Sequence, residues 1–98
     1  MKSPALAPET RIARRDRVVW RELDGEAVLL DLESEVYFGL DDVGTRIWSL
    51  LEADRPLGEV HRRLLAEYDV GSEEAWRDLA GLVERLLAAG LVESRPPP

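Results

Sequence analysis

The stretch EVYFGLDDVGTRIWSLL, residues 35–51, places a short strand almost directly before a helix. Val36, Tyr37 and Phe38 are β-branched or aromatic residues, which favour a strand. From Val43 onward apolar residues recur at helical spacing, and only two aspartates separate the two segments. A chain built around this junction must mix strands and helices, with the end of one strand fixed against the start of a helix.

Two more strand-forming segments precede this junction. Residues 16–23 and 26–32 are rich in aliphatic residues, and Asp24-Gly25 between them is a strong signal for a tight hairpin. A short turn then leads into the third strand, residues 36–40. The continuous apolar run in the second strand predicts burial on both of its faces. The pattern predicts a three-stranded antiparallel meander with the second strand in the centre.

Three helices are predicted after the meander. The first, capped by Asp41 or Asp42, is followed by a second over residues 57–68. The third is expected to use Ser72 as its N-cap and to end at Gly90. Three strands followed by three helices form an α+β fold of the winged helix-turn-helix type.

The length of 98 residues fits one domain with a modest core. We expect a single domain at residues 15–93, between flexible tails at residues 1–14 and 94–98. No apolar run approaches the length of a membrane span, and the first ten residues do not resemble a signal peptide. These features predict a cytoplasmic protein.

Few side chains are available for catalysis or for metal binding. The chain has no cysteine and one histidine, His61, which excludes thiolate sites and most histidine-based ones. The acidic run of Glu33, Glu35, Asp41 and Asp42 lacks the spacing and the glycine of a calcium loop. We therefore predict no catalytic residue, no metal and no cofactor, and we do not expect an enzyme.

Charge is distributed unevenly along the chain. The net charge is −7, yet residues 11–21 hold five arginines and one aspartate, a local charge of +4. The acidic remainder argues against a duplex-DNA partner, because DNA affinity depends on neutralising phosphates. The basic strip is either a solvated edge strand or a surface that meets an acidic partner.

The third predicted helix has an unusually wide apolar surface. Two neighbouring apolar stripes cover roughly 160° of the helix, wider than the ~100° that a surface helix usually needs. The stripes are Ala75, Leu79, Leu82 and Leu86, and Trp76, Ala80, Val83 and Leu87. Either this helix is buried deeply between the sheet and the other helices, or the second stripe forms one wall of a hydrophobic groove.

The third strand is the expected opposite wall of such a groove. It is an edge strand of the meander, and its segment Val36-Tyr37-Phe38 carries neither charge nor proline. Native proteins usually protect a strand edge with such residues. An apolar edge beside an apolar helix favours the addition of an extended peptide as a further strand.

Three motifs in order carry a family resemblance over Val18 to Val92. They are GLDDVGTRIW from the end of the third strand, PLGEVHRRL at the start of the second helix and LVERLLAAGLV at the end of the third helix. This order resembles the PqqD-like family, also called RiPP recognition elements, which bind the leader segment of ribosomally made peptides. Within that family, YFGLDDVGTRIW is most similar to the stand-alone leader-binding proteins of lasso-peptide pathways.

The resemblance implies a non-catalytic adaptor that pairs a lasso leader peptide with the third strand. It also implies two partner enzymes, a transglutaminase-like cysteine protease that removes the leader and an ATP-dependent cyclase. The implied peptide-binding positions are Glu35, Val36, Tyr37 and Phe38 on the strand, and Trp76, Leu79, Ala80, Val83 and Leu87 on the helix.

Two other functions share this topology. A winged-helix DNA-binding regulator should have a basic recognition helix, whereas the third helix here carries a net charge of −2. A PqqD-like adaptor for a different RiPP-modifying enzyme would use the same groove, so the sequence leaves that alternative open.

Overall fold

The structure, a computed structural model, describes residues 6–95 of the chain. Its helices and strands, in order, are β1 (Arg11–Arg14), β2 (Val18–Leu23), β3 (Glu26–Asp31), β4 (Tyr37–Gly39), α1 (Asp42–Leu50), α2 (Leu57–Glu67), α3 (Ser72–Ala88) and β5 (Val92–Arg95). Strands β2, β3 and β4 form one antiparallel sheet, and β1 pairs with β5 in a second. None of the helices in this part of the chain is long and apolar enough to cross a membrane.

The predicted meander and the α+β class are confirmed, with β3 in the centre of the sheet and β4 at an edge. The β2–β3 hairpin closes at Asp24 and Gly25, whose φ angles of 55° and 81° are both left-handed. Two left-handed residues are typical of a two-residue turn that follows the twist of its strands. Leu23 and Glu26 pair directly on either side of this turn.

The β1–β5 sheet was not predicted. Residues 11–14, which the sequence analysis placed in a flexible tail, pair with residues 92–95. Ile12 is 1% exposed, so this segment belongs to the core. The folded part of the chain therefore extends beyond residues 15–93 at both ends. Residues 8–10 also contact the fold, since the N–H groups of Gly58 and Leu57 donate to the carbonyls of Pro8 and Thr10. Residues 1–5 and 96–98 of the predicted tails lie outside the described residues.

Of the three predicted cap residues, Asp41 caps its helix, Gly90 directly follows the C-cap Ala89, and Ser72 is not a cap. The Asp41 carboxylate caps α1 by accepting a hydrogen bond of 2.7 Å from the N–H of Gly44. Gly90 follows α3 with a φ of 75°, the left-handed conformation that ends many helices. The predicted cap at Ser72 is wrong: Gly71 occupies the N-cap, and Ser72 is already the first residue of the helix.

The core lies between one face of the sheet and the three helices. In β3 only Ala27, Leu29 and Asp31 are buried, whereas Val28 is 48% exposed. The prediction that this strand is buried on both faces is therefore wrong, because no described element covers the second face. The apolar run in β3 reflects a sheet with one core face and one solvent face.

The basic strip at residues 11–21 is largely neutralised within the molecule. Four of its arginines form ion pairs, namely Arg11–Asp54, Arg14–Glu52, Arg15–Glu93 and Arg17–Asp31. The guanidinium of Arg14 also lies 4.8 Å from the ring centre of Trp48, a cation–π contact. Most of this strip therefore ties β1 and β2 to neighbouring segments.

Candidate functional site

A cleft of about 610 Å³ separates the end of β4 from α3, and the start of α1 forms its floor. Its lining residues are Phe38, Gly39, Leu40, Asp41, Val43, Gly44, Ile47, Arg77, Asp78, Gly81, Leu82 and Arg85. The direct junction between β4 and α1 produces this shape, because the chain leaves the sheet edge and turns at once beneath it. An open strand edge and a helix thus face each other across an apolar floor.

The backbone groups of β4 alternate between its neighbour β3 and the outside. Val36 accepts from the N–H of Asp31 at 3.0 Å, and the N–H of Leu40 donates to Ala27 at 2.8 Å. In an antiparallel pair these contacts recur at every second residue. The N–H and C=O groups of Tyr37 and Gly39 therefore point away from β3, where a further strand would pair.

A buried hydrogen bond holds the floor of the cleft against the sheet. The hydroxyl of Thr45 on α1 accepts from the N–H of Ala27 on β3 at 2.8 Å. Gly44, one residue earlier, packs closely against the end of the strand: an added Cβ would lie 3.1 Å from Oδ1 of Asp41. These contacts set the distance between α1 and the sheet.

The turn before β4 is organised by the carboxylate of Asp31. Its Oδ1 accepts from the backbone N–H of Glu33 at 2.9 Å and from Nε of Arg17 at 3.0 Å. Burial alone would raise the pKa of Asp31, but these hydrogen bonds outweigh burial and lower it. Glu35 completes the turn with a left-handed φ of 63°. The start of β4 is thus held by an ionised side chain beneath it.

The helical wall of the cleft presents one row of residues spaced by a single turn. Arg77, Gly81 and Arg85 follow one another at intervals of four and line the cleft. Nothing lies within 4 Å of a Cβ placed on Gly81. A glycine inside a helix costs about 1 kcal/mol relative to alanine. No close contact in the protein explains the glycine at this position, and its effect is to leave space in the cleft. Sequence reasoning missed this row because it followed the apolar stripes.

The helix positions predicted to bind peptide lie elsewhere on α3. Leu79 and Val83 are fully buried in the core, and Ala80 and Leu87 are half-buried. Trp76 faces α2, where its ring lies 5.5 Å from that of His61 in an edge-to-face contact. None of the five lines the cleft, so a different face of α3 forms its wall. The wide apolar arc reflects deep burial of the helix.

The strand positions predicted to bind peptide lie at or beside the open edge. Tyr37 is 69% exposed and Val36 is 42% exposed, while Phe38 is half-buried and lines the cleft. Tyr37 pairs with Leu30, and its side chain lies on the sheet face opposite the core. Its contribution to the edge is therefore made by its backbone rather than by its ring.

A second cavity of about 310 Å³ adjoins the cleft at the N-terminal end of α3. Val43, Ile47 and Asp78 line both spaces, and the second cavity extends to Leu64 and Tyr68 at the end of α2. Within residues 6–95, no three histidine or acidic side chains are grouped to hold a metal ion. The site thus offers hydrogen-bonding backbone, apolar surface and charge.

Comparison with known proteins places most of this fold in one family. The family described as coenzyme PQQ synthesis protein D (PqqD) matches residues 26–92, which include β3, β4 and all three helices. No curated protein sequence matches the chain. The match therefore covers both walls and the floor of the cleft.

Two solved structures resemble the chain closely. The first, TbiB1 in complex with the TbiA(beta) leader peptide, is 42% identical with a TM-score of 0.78. The match covers 83% of this chain and 94% of TbiB1. The second, a lasso peptide synthetase B1 complexed with the leader peptide, is 32% identical with a TM-score of 0.72. It covers 90% of this chain and 99% of the synthetase chain.

Proposed function

Because this chain belongs to the PqqD family, we propose that it binds the leader segment of a lasso precursor peptide as a strand added to β4. The observation that carries the proposal is the open edge at Tyr37 and Gly39, which faces a cleft with an apolar floor. Edge addition supplies backbone hydrogen bonds, and the cleft supplies contacts for side chains. The two solved structures of similar fold, both complexed with a leader peptide, support a leader peptide as the ligand of this edge.

The proposed contacts combine the predicted strand with a different helix face. On the strand, residues 35–38 remain in the proposal, with Tyr37 contributing its outward N–H and C=O groups. On the helix, the proposed contacts are Gly81, Leu82 and Arg85, because they line the cleft and the five positions named from the sequence do not. An apolar anchor of the leader would enter the adjoining cavity near Leu64. Alternate residues of the bound peptide would then face α3.

We extend the proposal to a non-catalytic adaptor in the cytoplasm. It would present the bound precursor to a separate cysteine protease that removes the leader, and to an ATP-dependent cyclase. The lack of a cysteine and the single histidine, which is half-buried and bonded to the carbonyl of Ser72, support a role in binding. An adaptor for another peptide-modifying enzyme would use the same cleft with a different leader.

A titration tests the binding step. A labelled peptide covering the leader of the precursor encoded beside this gene is titrated with the protein, and fluorescence anisotropy is recorded. A random DNA duplex and a scrambled leader serve as controls. Saturable binding of the leader alone supports the proposal. Salt-sensitive binding of the duplex, without leader binding, would overturn it in favour of a DNA-binding regulator.

A cleavage assay tests the adaptor step separately. The partner protease is incubated with full-length precursor, with and without this chain, and leader removal is followed by mass spectrometry. The proposal predicts faster cleavage in the presence of the chain. If the chain binds the leader but affects neither leader cleavage nor cyclisation, the lasso assignment would be wrong. The chain would then be an adaptor for another enzyme.

A further inference from the structure

Two arginines in the cleft differ from most other arginines of the chain. Arg77 and Arg85 form no ion pair with any other residue between 6 and 95, whereas Arg46 and Arg55 pair with carboxylates on α2. Nε of Arg85 donates to the carbonyl of Gly81, one turn earlier, at 3.5 Å. Both side chains line the cleft, so two positive charges without a partner face the space beside β4.

The spacing of these arginines matches the repeat of an extended peptide. Arg77, Gly81 and Arg85 form what we call the arginine row, with one helical turn between members. Four helical residues advance about 6 Å, and two strand residues advance about 6.7 Å. Successive side chains on one face of an added strand would therefore meet successive members of the row.

Resting on the function proposed above, we propose that the arginine row selects leaders by charge and size. The selected leader has an acidic side chain opposite Arg85 and, two residues away, a bulky apolar side chain over Gly81. The carboxylate would satisfy the guanidinium of Arg85 in a charge-assisted hydrogen bond. The apolar side chain would fill the open space at Gly81 and cover Leu82 in the wall of the cleft.

The other charged residues at the cleft indicate that the acidic side chain of the leader binds beside Arg85 rather than beside Arg77. Asp78, next to Arg77 in sequence, also lines the cleft, so this end of the cleft already holds a carboxylate. Asp41, which also lines the cleft, already accepts a hydrogen bond from the N–H of Gly44 at the start of α1. Glu84 adjoins Arg85 in sequence but does not line the cleft. Arg85 is therefore the stronger site for an acidic side chain, and Arg77 the weaker one.

Charge reversal tests the pairing. In the labelled leader, each acidic residue is replaced singly by its amide, and affinities are measured by anisotropy for the wild type and for Arg85→Glu. One replacement should weaken binding about three- to tenfold, as expected for a partly exposed charged pair. Arg85→Glu should weaken the unmodified leader similarly and should recover affinity when that acidic residue is changed to lysine. Arg77→Glu, the matched control, should have a smaller effect.

The opposite results would overturn the inference. If no amide replacement changes the affinity, or if Arg85→Glu binds the leader as tightly as the wild type, the arginine row does not select charge. If Tyr37→Pro abolishes leader binding but no charge change in the leader or at Arg85 alters the affinity, the proposed function would still hold and only this inference would be wrong. A leader that does not bind the wild-type protein at all would overturn both.

Substitution at the middle of the row tests the size element. Gly81→Leu fills the open space and should weaken leader binding at least tenfold, while Gly81→Ala should have a smaller effect. Both variants should keep the wild-type circular dichroism spectrum, because no group beyond the local helix backbone lies within 4 Å of a Cβ here and the leucine side chain can extend into the open cleft. Unchanged leader affinity in a folded Gly81→Leu protein would contradict the proposal.

Discussion

Nε of Arg17 lies 3.0 Å from Oδ1 and 3.2 Å from Oδ2 of Asp31, beneath the turn that leads into β4. The same guanidinium donates to the carbonyl of Gly90 at 3.3 Å, just after the end of α3. Arg17 thus ties the strand wall of the cleft to the end of the helix wall. The site depends on residues that do not line it.

Acid should weaken this support. The folded-state pKa of Asp31 is lowered, mainly because hydrogen bonds from Glu33 and Arg17 outweigh the effect of burial. A lowered folded pKa adds stability above the unfolded pKa of about 3.9, and that stability is lost as the pH falls through the folded pKa. We expect the difference in unfolding free energy between wild type and Asp31→Asn to shrink below about pH 4.

Urea unfolding of both proteins between about pH 7 and pH 2.5 measures this difference. Asp42→Asn is a matched control, since this exposed carboxylate lies outside the turn. A difference that is constant over the whole pH range would show that Asp31 does not hold the turn through its charge.

Removal of one outward N–H at the strand edge should abolish most leader binding. Tyr37→Pro deletes this donor, and edge strands tolerate proline. Losing a hydrogen bond and leaving its partner unpaired costs about 1–3 kcal/mol, or roughly five- to 150-fold in affinity. Tyr37→Ala is the matched control, because it removes the same ring but keeps the N–H. Anisotropy titrations with equal affinities for the two variants would contradict edge addition.

Two glycines should respond in opposite directions to alanine. Gly81→Ala should raise the unfolding free energy by up to about 1 kcal/mol, since alanine favours a helix and meets no neighbour at this position. Gly44→Ala should lower it, because the new Cβ lies 3.1 Å from Oδ1 of Asp41 and disturbs the cap of α1. Urea unfolding measures both changes. Stabilisation by both substitutions would show that α1 has room to move at its start.

Leu79 should affect stability and leave the binding surface unchanged. It is 0% exposed on the core face of α3, so Leu79→Ala should lower the unfolding free energy by about 2–5 kcal/mol. At a temperature where the variant is fully folded, its leader affinity should equal that of the wild type. A loss of leader affinity in the folded variant would instead support the binding positions inferred from the sequence.

The strand wall could be predicted from the sequence, whereas the helix wall could not. Short turns fix a meander and therefore its edges, so Val36 to Phe38 could be placed at an edge without coordinates. On α3, apolar spacing identifies residues that avoid water, and α2 and β5 pack against this helix and help to bury a wide arc. The cleft face carries Arg77, Gly81 and Arg85, which an apolar pattern does not identify.

The β1–β5 sheet escaped prediction for a different reason. Its two strands are short and charged, and pairing joins Arg14 to Val92 across most of the chain. Local patterns give no signal for such a contact. The signal for the arginine row was present in the sequence as a helical glycine with an arginine one turn away on each side.

Amide hydrogen exchange measured by NMR, with and without the leader peptide, tests the central claim most directly. Strand addition to β4 predicts that the amides of Tyr37 and Gly39 exchange rapidly in the free protein and slowly in the complex. The amide of Leu40, already bonded to Ala27, should be protected in both states. Leader binding that leaves Tyr37 and Gly39 unprotected, or that protects β2 instead, would contradict the account.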